Sequence, residues 1–384
     1  MAVEPRRWRL FIDNRWLDAG DGETMPVVNP ANGTVLGRVA AATAADVDRA
    51  VTAAHRAFTG WSERSGVERG TLLDGIADQL QSRREEIVAN QIANSGKPLV
   101  EAGIDADDAI ATYRYYAGEA CRLDARQETD FQLIEGFAGR TRFEPLGVAG
   151  LIVPWNFPLV TSGWKVAAAL AAGCTVVLKA SEFTPSNELL LGEAALAAGL
   201  PAGVVNIVTG GPDCDRAICE HPLVAKISFT GSNRVGQEVI ATAARRSVPT
   251  TLELGGKSVI VAFGDSDPYE AAQWICDGIF YNAGQVCSAT SRLLVERNFE
   301  AALRPVLLEK TEAIRLGEPA DPSTGMGPMT TQVQYNKVIS YFDIARQEGL
   351  SHSCGGHVVD RNGGLFIAPT VYWDVPATSR LWRE

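Results

Sequence analysis

The sequence contains no apolar run approaching the roughly 18 to 20 residues that cross a bilayer. Its richest apolar stretch, Val166 to Gly173, is short and alanine-heavy and reads as a buried helix. Positive charge is in deficit: 35 Lys and Arg face 46 Asp and Glu, giving a formal net charge of -11 with acids spread along the chain. That balance repels phosphate backbones and anionic lipid heads, so neither nucleic acid nor a membrane is an expected partner. Paired cysteines are lacking too. The seven, Cys121, Cys174, Cys214, Cys219, Cys276, Cys287 and Cys354, are odd in number and none forms a CxxC pair. A disulfide framework and a zinc knuckle are therefore not expected, no metal site is predicted, and a reducing cytoplasmic setting follows. The opening MAVEPRRWRLFIDNRW has no apolar segment of a secretory signal. Internal repeats, low-complexity segments and a GxGxxG fingerprint are likewise missing.

What is present is a chain of 384 residues, 46% hydrophobic and 21% charged, the profile of a globular enzyme with two or more packed domains. From Val148 onward short β-branched runs (GVAGLIV, TVVLK, VVNIVT, AKISFT) alternate with longer amphipathic stretches (WKVAAALAAG, a segment from Thr184-Pro185 as N-cap and first helical position to Leu200, and DCDRAICEH). Such alternation predicts βαβ units and a parallel sheet with ligands at the carboxyl ends of its strands. A second set follows Gly255: SVIVAF, the helix DPYEAAQWICDGIF, the run CSATSRLLVE and a helix from Asn298, together a second α/β domain. The first 120 residues read as mostly helical after a short β start at LFIDNRW, and residues 123–143 as a protruding strand pair.

Three segments carry candidate chemistry. Asn282-Ala283-Gly284-Gln285-Val286-Cys287-Ser288 places a cysteine after a glycine turn between a helix end and a strand, where a thiolate could face a cleft. Leu252-Glu253-Leu254-Gly255-Gly256-Lys257 ends an apolar β-run with a glutamate beside two glycines. A half-desolvated carboxylate there has the raised pKa of a general base. Pro154-Trp155-Asn156-Phe157-Pro158 holds an asparagine between prolines, a rigid N–H donor for an oxyanion. Each alone admits a plainer reading: a structural cysteine, a glutamate paired with Lys257, a turn asparagine. For a cofactor, Lys179-Ala180-Ser181-Glu182 puts a base and an acid at a strand end, a fit for a ribose diol that disfavours a 2'-phosphate. Gly231-Ser232 opens the helix NRVGQEVIATAARR, whose N–H groups suit a pyrophosphate or form an ordinary strand-to-helix turn.

FIDNRW, VVNPANG, PWNFP, WKVAAALAAG, KASE, FTGS, ELGGK and GQVCSATSRLLV, in this order and spacing, resemble the aldehyde dehydrogenase superfamily over essentially the whole chain. The resemblance implies a Rossmann-type parallel-sheet NAD-binding domain (residues 1–122 and 144–254), a small β oligomerisation arm (123–143) and an α/β catalytic domain (255–384). It implies assembly as a homodimer or homotetramer when full length. Carried over by position, Cys287 is the nucleophile, Glu253 the general base, Asn156 the oxyanion donor and Lys165 a proton relay. Val153, Pro154, Trp155, Lys179, Ser181, Glu182, Gly211, Gly231, Ser232 and Leu254 line the NAD site. The product would be a free carboxylic acid. GQVCSATSRLL is most similar to the betaine-aldehyde and aminoaldehyde branch, in which Phe157, Trp164 and Tyr281 match aromatic lining positions and Asp105 and Asp108 match acids at a tunnel mouth. Aromatic faces attract a quaternary ammonium by roughly 0.5 to 2 kcal/mol each. Aromatic or aliphatic aldehydes, and an inactive NAD-binding fragment, stay open as alternatives. The sequence departs from the family at Ala168 and Ala180, where proline is usual, at Asp215, near an expected glycine, and at its end, where the family continues into a segment with a further glutamate, so the chain reads as truncated at its C-terminus.

Overall fold

The β-branched runs of residues 148–231 fold as buried parallel strands. The structure, a computed structural model, describes residues 6–126 and 128–384. It opens with β1 (Arg6–Trp8), β2 (Leu10–Ile12), β3 (Arg15–Leu17), β4 (Thr24–Val28) and β5 (Val35–Ala40). Four helices follow: α1 (Ala44–Ser62), α2 (Gly66–Ser82), α3 (Arg84–Ser95) and α4 (Leu99–Arg126). After the strands β6 (Glu128–Ile134) and β7 (Phe137–Arg142) come β8 (Val148–Ile152), α5 (Val160–Ala171), β9 (Thr175–Ala180), α6 (Ser186–Ala197) and β10 (Val205–Thr209). Then come α7 (Pro212–Glu220), β11 (Val224–Gly231), α8 (Asn233–Ala244) and β12 (Thr250–Leu254). The remainder holds β13 (Val259–Ala262), α9 (Pro268–Phe280), β14 (Arg292–Val295), α10 (Glu300–Glu312) and α11 (Gln332–Gln347), besides shorter pieces. Two compact units result. One takes the residues up to Val27, Gly37–Val88 and Gly103–Glu253; the other takes Val28–Leu36, Ala89–Ala102 and Leu254–Glu384.

The first unit is built on a seven-stranded sheet in the order β12-β11-β8-β9-β10-β2-β3. Strands β11, β8, β9 and β10 run parallel, and the hairpin β2–β3 joins antiparallel to β10. Every side chain of β8, β9 and β10 is buried. Such strands need cover on both faces, and apolar runs without alternation are the sequence form of that demand. Helices α1, α5 and α6 pack on these strands. The chain moves outward from β8 through β9 and β10, then returns to the other side of β8 with β11 and β12. That reversal opens a crevice at the strands' carboxyl ends, the usual place for a nucleotide.

Local chemistry sets the helix ends. In a capping box at α1, the Asp46 N–H donates to Thr43 Oγ1 (3.3 Å) and the Thr43 N–H donates back to Asp46 Oδ2 (2.8 Å). Helix α6 differs from the expectation that Thr184 caps it. The Thr184 hydroxyl donates instead to the Trp155 carbonyl at 3.2 Å, and the helix starts at Ser186. It ends before Leu200 because Gly199 adopts φ 81°, the left-handed turn that stops a helix. The expected strand pair near 123–143 is an antiparallel hairpin of β6 and β7, while residues 123–126 remain in α4.

In the second unit β13 and β14 pair in parallel, with Val259 opposite Arg292. Helices α9 and α10 bring Ala272, Ile275, Cys276, Leu303 and Leu307 into one buried cluster with Ala262 of β13. Among the described residues no helix is long and apolar enough to cross a membrane.

Candidate active site

The residues predicted for cofactor binding in the first unit lie at the carboxyl ends of its parallel strands. Val153, Pro154 and Trp155 follow β8, and the Val153 N–H donates to the Lys179 carbonyl at the end of β9 (3.3 Å). Lys179 is buried; its Nζ lies 2.8 Å from Glu182 Oε2 and 3.6 Å from Asp215 Oδ1. Burial alone would lower the lysine's pKa, but the charges of Asp215 and Glu182 outweigh it and hold the ammonium above its ordinary range. Asp215 is pushed up to about 6 by burial, against the pull of Lys179. Ser181 is buried, and its Oγ accepts the Phe183 N–H at 3.3 Å. After β10, Gly211 is the N-cap of α7 with no side-chain cap. At the end of β11 a Cβ on Gly231 would fall 2.5 Å from the tip of the Phe229 ring, so a larger residue would require that ring to move. Ser232 caps α8, its Oγ accepting the Val235 N–H at 3.4 Å. A buried ammonium with carboxylate acceptors, beside a glycine and two helix N-termini, fits the ribose and pyrophosphate of a dinucleotide.

Of the residues predicted to be catalytic, three lie in the first unit: Lys165 in α5, Asn156 after β8 and Glu253 on β12. Lys165 lies in α5, and its Nζ donates to Ser228 Oγ of β11 at 2.8 Å. Burial lowers its pKa to about 8; Glu253 pulls it back up and Lys226 pushes it further down. Lys165 and Glu253 are therefore electrostatically coupled. Glu253 itself corrects an expectation: it is exposed rather than half-desolvated, because β12 is the edge strand of the sheet. Asn156 is half-buried in the turn after β8. Phe157 beside it fixes the next helix, its carbonyl accepting the Thr161 N–H (3.0 Å) and hydroxyl (2.8 Å).

Cys287, in the second unit, is exposed. The segment before it is strained. Asn282, Ala283 and Gly284 have φ of 50°, 53° and 77°, three left-handed residues in succession. For Ala283 such a backbone costs on the order of 1–2 kcal/mol, while Asn282 tolerates it better. Hydrogen bonds hold it in place. The Asn282 N–H donates to Glu101 Oε2 (3.0 Å), and the Asn282 side chain donates to the Gln285 carbonyl (3.2 Å). Gln285 Nε2 donates to the Asn282 carbonyl (2.9 Å), and Gln285 Oε1 accepts the Thr330 N–H (2.9 Å). A Cβ on Gly256 would meet the Cys287 carbonyl oxygen at 3.5 Å, so the backbone of the ELGGK segment lies against that of the cysteine. Leu254, at the end of β12, is half-buried, and Lys257 donates to the Leu381 carbonyl at 3.0 Å.

The predicted substrate residues divide. Phe157 is half-buried and Trp164 exposed in the first unit, and Tyr281 is half-buried in the second. On α4, Asp108 is exposed whereas Asp105 is buried, only 5% exposed, so only Asp108 is an open surface acid. Glu101, Gln285, Ser228 and Asp215 are neighbours of the site that motif reading passed over as partners. A cavity of about 790 Å³ in the second unit, lined by Leu293, Phe342, Trp373 and Trp382 among others, contains none of the predicted residues.

The first unit's strand-end crevice has the shape and charge that suit a dinucleotide, and the second unit carries an exposed cysteine after a left-handed loop. The chain belongs to the aldehyde dehydrogenase family, whose profile matches residues 16–384. It is 40% identical to the chloroplastic betaine aldehyde dehydrogenase of Beta vulgaris over 384 residues, 98% of this chain and 77% of that protein. It is equally 40% identical to the peroxisomal aminoaldehyde dehydrogenase 1 of Pisum sativum over 392 residues, 100% of this chain and 78% of that protein. A solved betaine aldehyde dehydrogenase of Staphylococcus aureus, in complex with NAD+, matches with a TM-score of 0.95 at 34% identity, over 98% of this chain and 76% of that one. The chain is an NAD+-dependent enzyme of this family, with the α/β fold expected. The cytoplasmic expectation is overturned, since these plant relatives are chloroplastic and peroxisomal.

Proposed function

We propose that this enzyme oxidises a betaine aldehyde or an ω-aminoaldehyde to its carboxylic acid. The Cys287 thiolate adds to the aldehyde carbon and the Asn156 side-chain N–H holds the oxyanion that forms. NAD+ bound at the strand ends supplies the acceptor for the hydride that the adduct loses. The acyl group is then a thioester on Cys287. Glu253 takes a proton from water, the water oxygen bonds to the acyl carbon, and the C–S bond breaks to return the thiolate. The carrying observation is that Lys165, held by Ser228 at 2.8 Å and brought to about 8 by burial, feels the charge of Glu253, so that above this pH its neutral amine can take the proton that the base collects.

The cationic substrate end rests on the aromatic set Phe157, Trp164 and Tyr281 and on Asp108, whose chemistry suits an ammonium group. The names of the relatives agree with it. Homo-oligomer formation is part of the same reading, supported by Phe131, Ile134 and Phe137, which the β6–β7 hairpin leaves exposed. The test follows NADH absorbance with betaine aldehyde, 4-aminobutanal and benzaldehyde, using the wild type and Cys287→Ala. The cationic aldehydes should give the higher kcat/KM and Cys287→Ala none. A preference for benzaldehyde would refute the substrate class, and NADH formed by Cys287→Ala would refute the nucleophile.

A further inference from the structure

Lys179 is held by two carboxylates from different elements, Glu182 from the turn after β9 and Asp215 from the first turn of α7. Asp215 is not required by its own helix. A carboxylate in the first turn complements the helix dipole, and Asp213 already stands there. Asp213 faces outward, its side chain 95% exposed and paired with Arg216 at 2.8 Å. Asp215 turns inward. Its side chain is 22% exposed, and its Oδ1 is enclosed against Lys179 with no hydrogen-bond partner.

We propose that Asp215 is a second determinant of cofactor choice: with Glu182 it takes the hydroxyls of the adenosine ribose, and its charge bars the 2'-phosphate of NADP. This rests on reading the β9 end as the ribose site. The argument is one of charge. Lys179 with Glu182 alone sums to neutral, and such a pair could open to let the ammonium meet a phosphate. A second carboxylate leaves one net negative charge at the place where a phosphate would bring about 1.5 to 2 more. Asp215 Oδ1 already faces the Lys179 ammonium at 3.6 Å, so the pocket's cation is engaged from both sides and an incoming phosphate finds no spare positive charge.

The test measures NADH and NADPH binding by nicotinamide fluorescence, without aldehyde, for the wild type, Asp215→Asn, Asp215→Ser and Glu182→Gln. Both Asp215 variants should raise the affinity for NADPH relative to NADH by about tenfold or more. In the wild type the preference for NADH should shrink as salt is added, because screening weakens a repulsion and leaves a steric exclusion alone. An unchanged ratio in an Asp215 variant that still binds NADH overturns the proposal. So does a wild-type preference indifferent to salt, a reading available even if the variants fail to fold. A wild type that binds neither dinucleotide would instead remove the reading of the strand end as a ribose site.

Discussion

Lys165 shows what a single residue gains from tertiary placement. In water its amine would stay protonated to well above neutral pH; burial brings its pKa to about 8, even with Glu253 opposing. Only the neutral amine accepts a proton, so a relay through Lys165 should make thioester hydrolysis faster as pH rises through about 8. We predict that Lys165→Met removes this rise from the kcat profile and lowers kcat by about ten- to hundredfold at alkaline pH. Ser228→Ala, which deletes the 2.8 Å hydrogen bond to Nζ, should displace the inflection while keeping most of the rate. A pH–rate profile unaltered by Lys165→Met would exclude the relay. The position of Lys165 within its motif is readable from the sequence. Its partner Ser228, 63 residues away, is not, because only the pairing of β8 with β11 brings that hydroxyl across.

At the scale of elements, the parallel strands were legible because β8, β9 and β10 are buried on both faces and so are apolar without interruption. The loop before Cys287 was legible only as a glycine turn. Its left-handed run extends back through Ala283, whose side chain disfavours φ > 0, to Asn282, which tolerates it, and the contacts that hold it come from Glu101 and Thr330, 181 and 45 residues away from their partners. Strain and support can be separated by mutation. Ala283→Gly removes the Cβ penalty, and after the entropy cost of glycine we expect a gain between zero and about 1 kcal/mol. Gln285→Ala leaves the Thr330 N–H without Oε1 and the Asn282 carbonyl without Nε2, and should cost about 2 kcal/mol or more. Denaturant unfolding distinguishes the two. A loss on Ala283→Gly as large as that on Gln285→Ala would mean that the φ of 53° is not a strained feature of the loop.

For the whole molecule, the informative group is one that no motif touches. Glu188 on α6 is wholly buried, and neither carboxyl oxygen has a hydrogen-bond partner. The sequence hides this, since a glutamate two residues after Ser186 reads as an ordinary first-turn acid facing solvent. Its helix instead turns that face onto the sheet, where burial pushes the carboxyl up to about 8 against the pull of Lys179. The unfolded chain releases this proton near pH 4.5, the folded chain only near 8. Between those values the folded state binds the extra proton, so this group makes stability fall as pH rises, by at most about 1.4 kcal/mol per pH unit, and the fall stops above about 8. Glu188→Gln keeps the shape and cannot ionise. The difference in unfolding free energy, variant minus wild type, should therefore grow by a few kcal/mol from pH 5 to pH 8 and then level off. Taking the difference cancels the groups that do not interact with Glu188, leaving its own titration and its coupling to Lys179. A difference that stays flat over that range would show that Glu188 ionises in the folded protein as readily as in the unfolded chain, which its burial without a partner forbids.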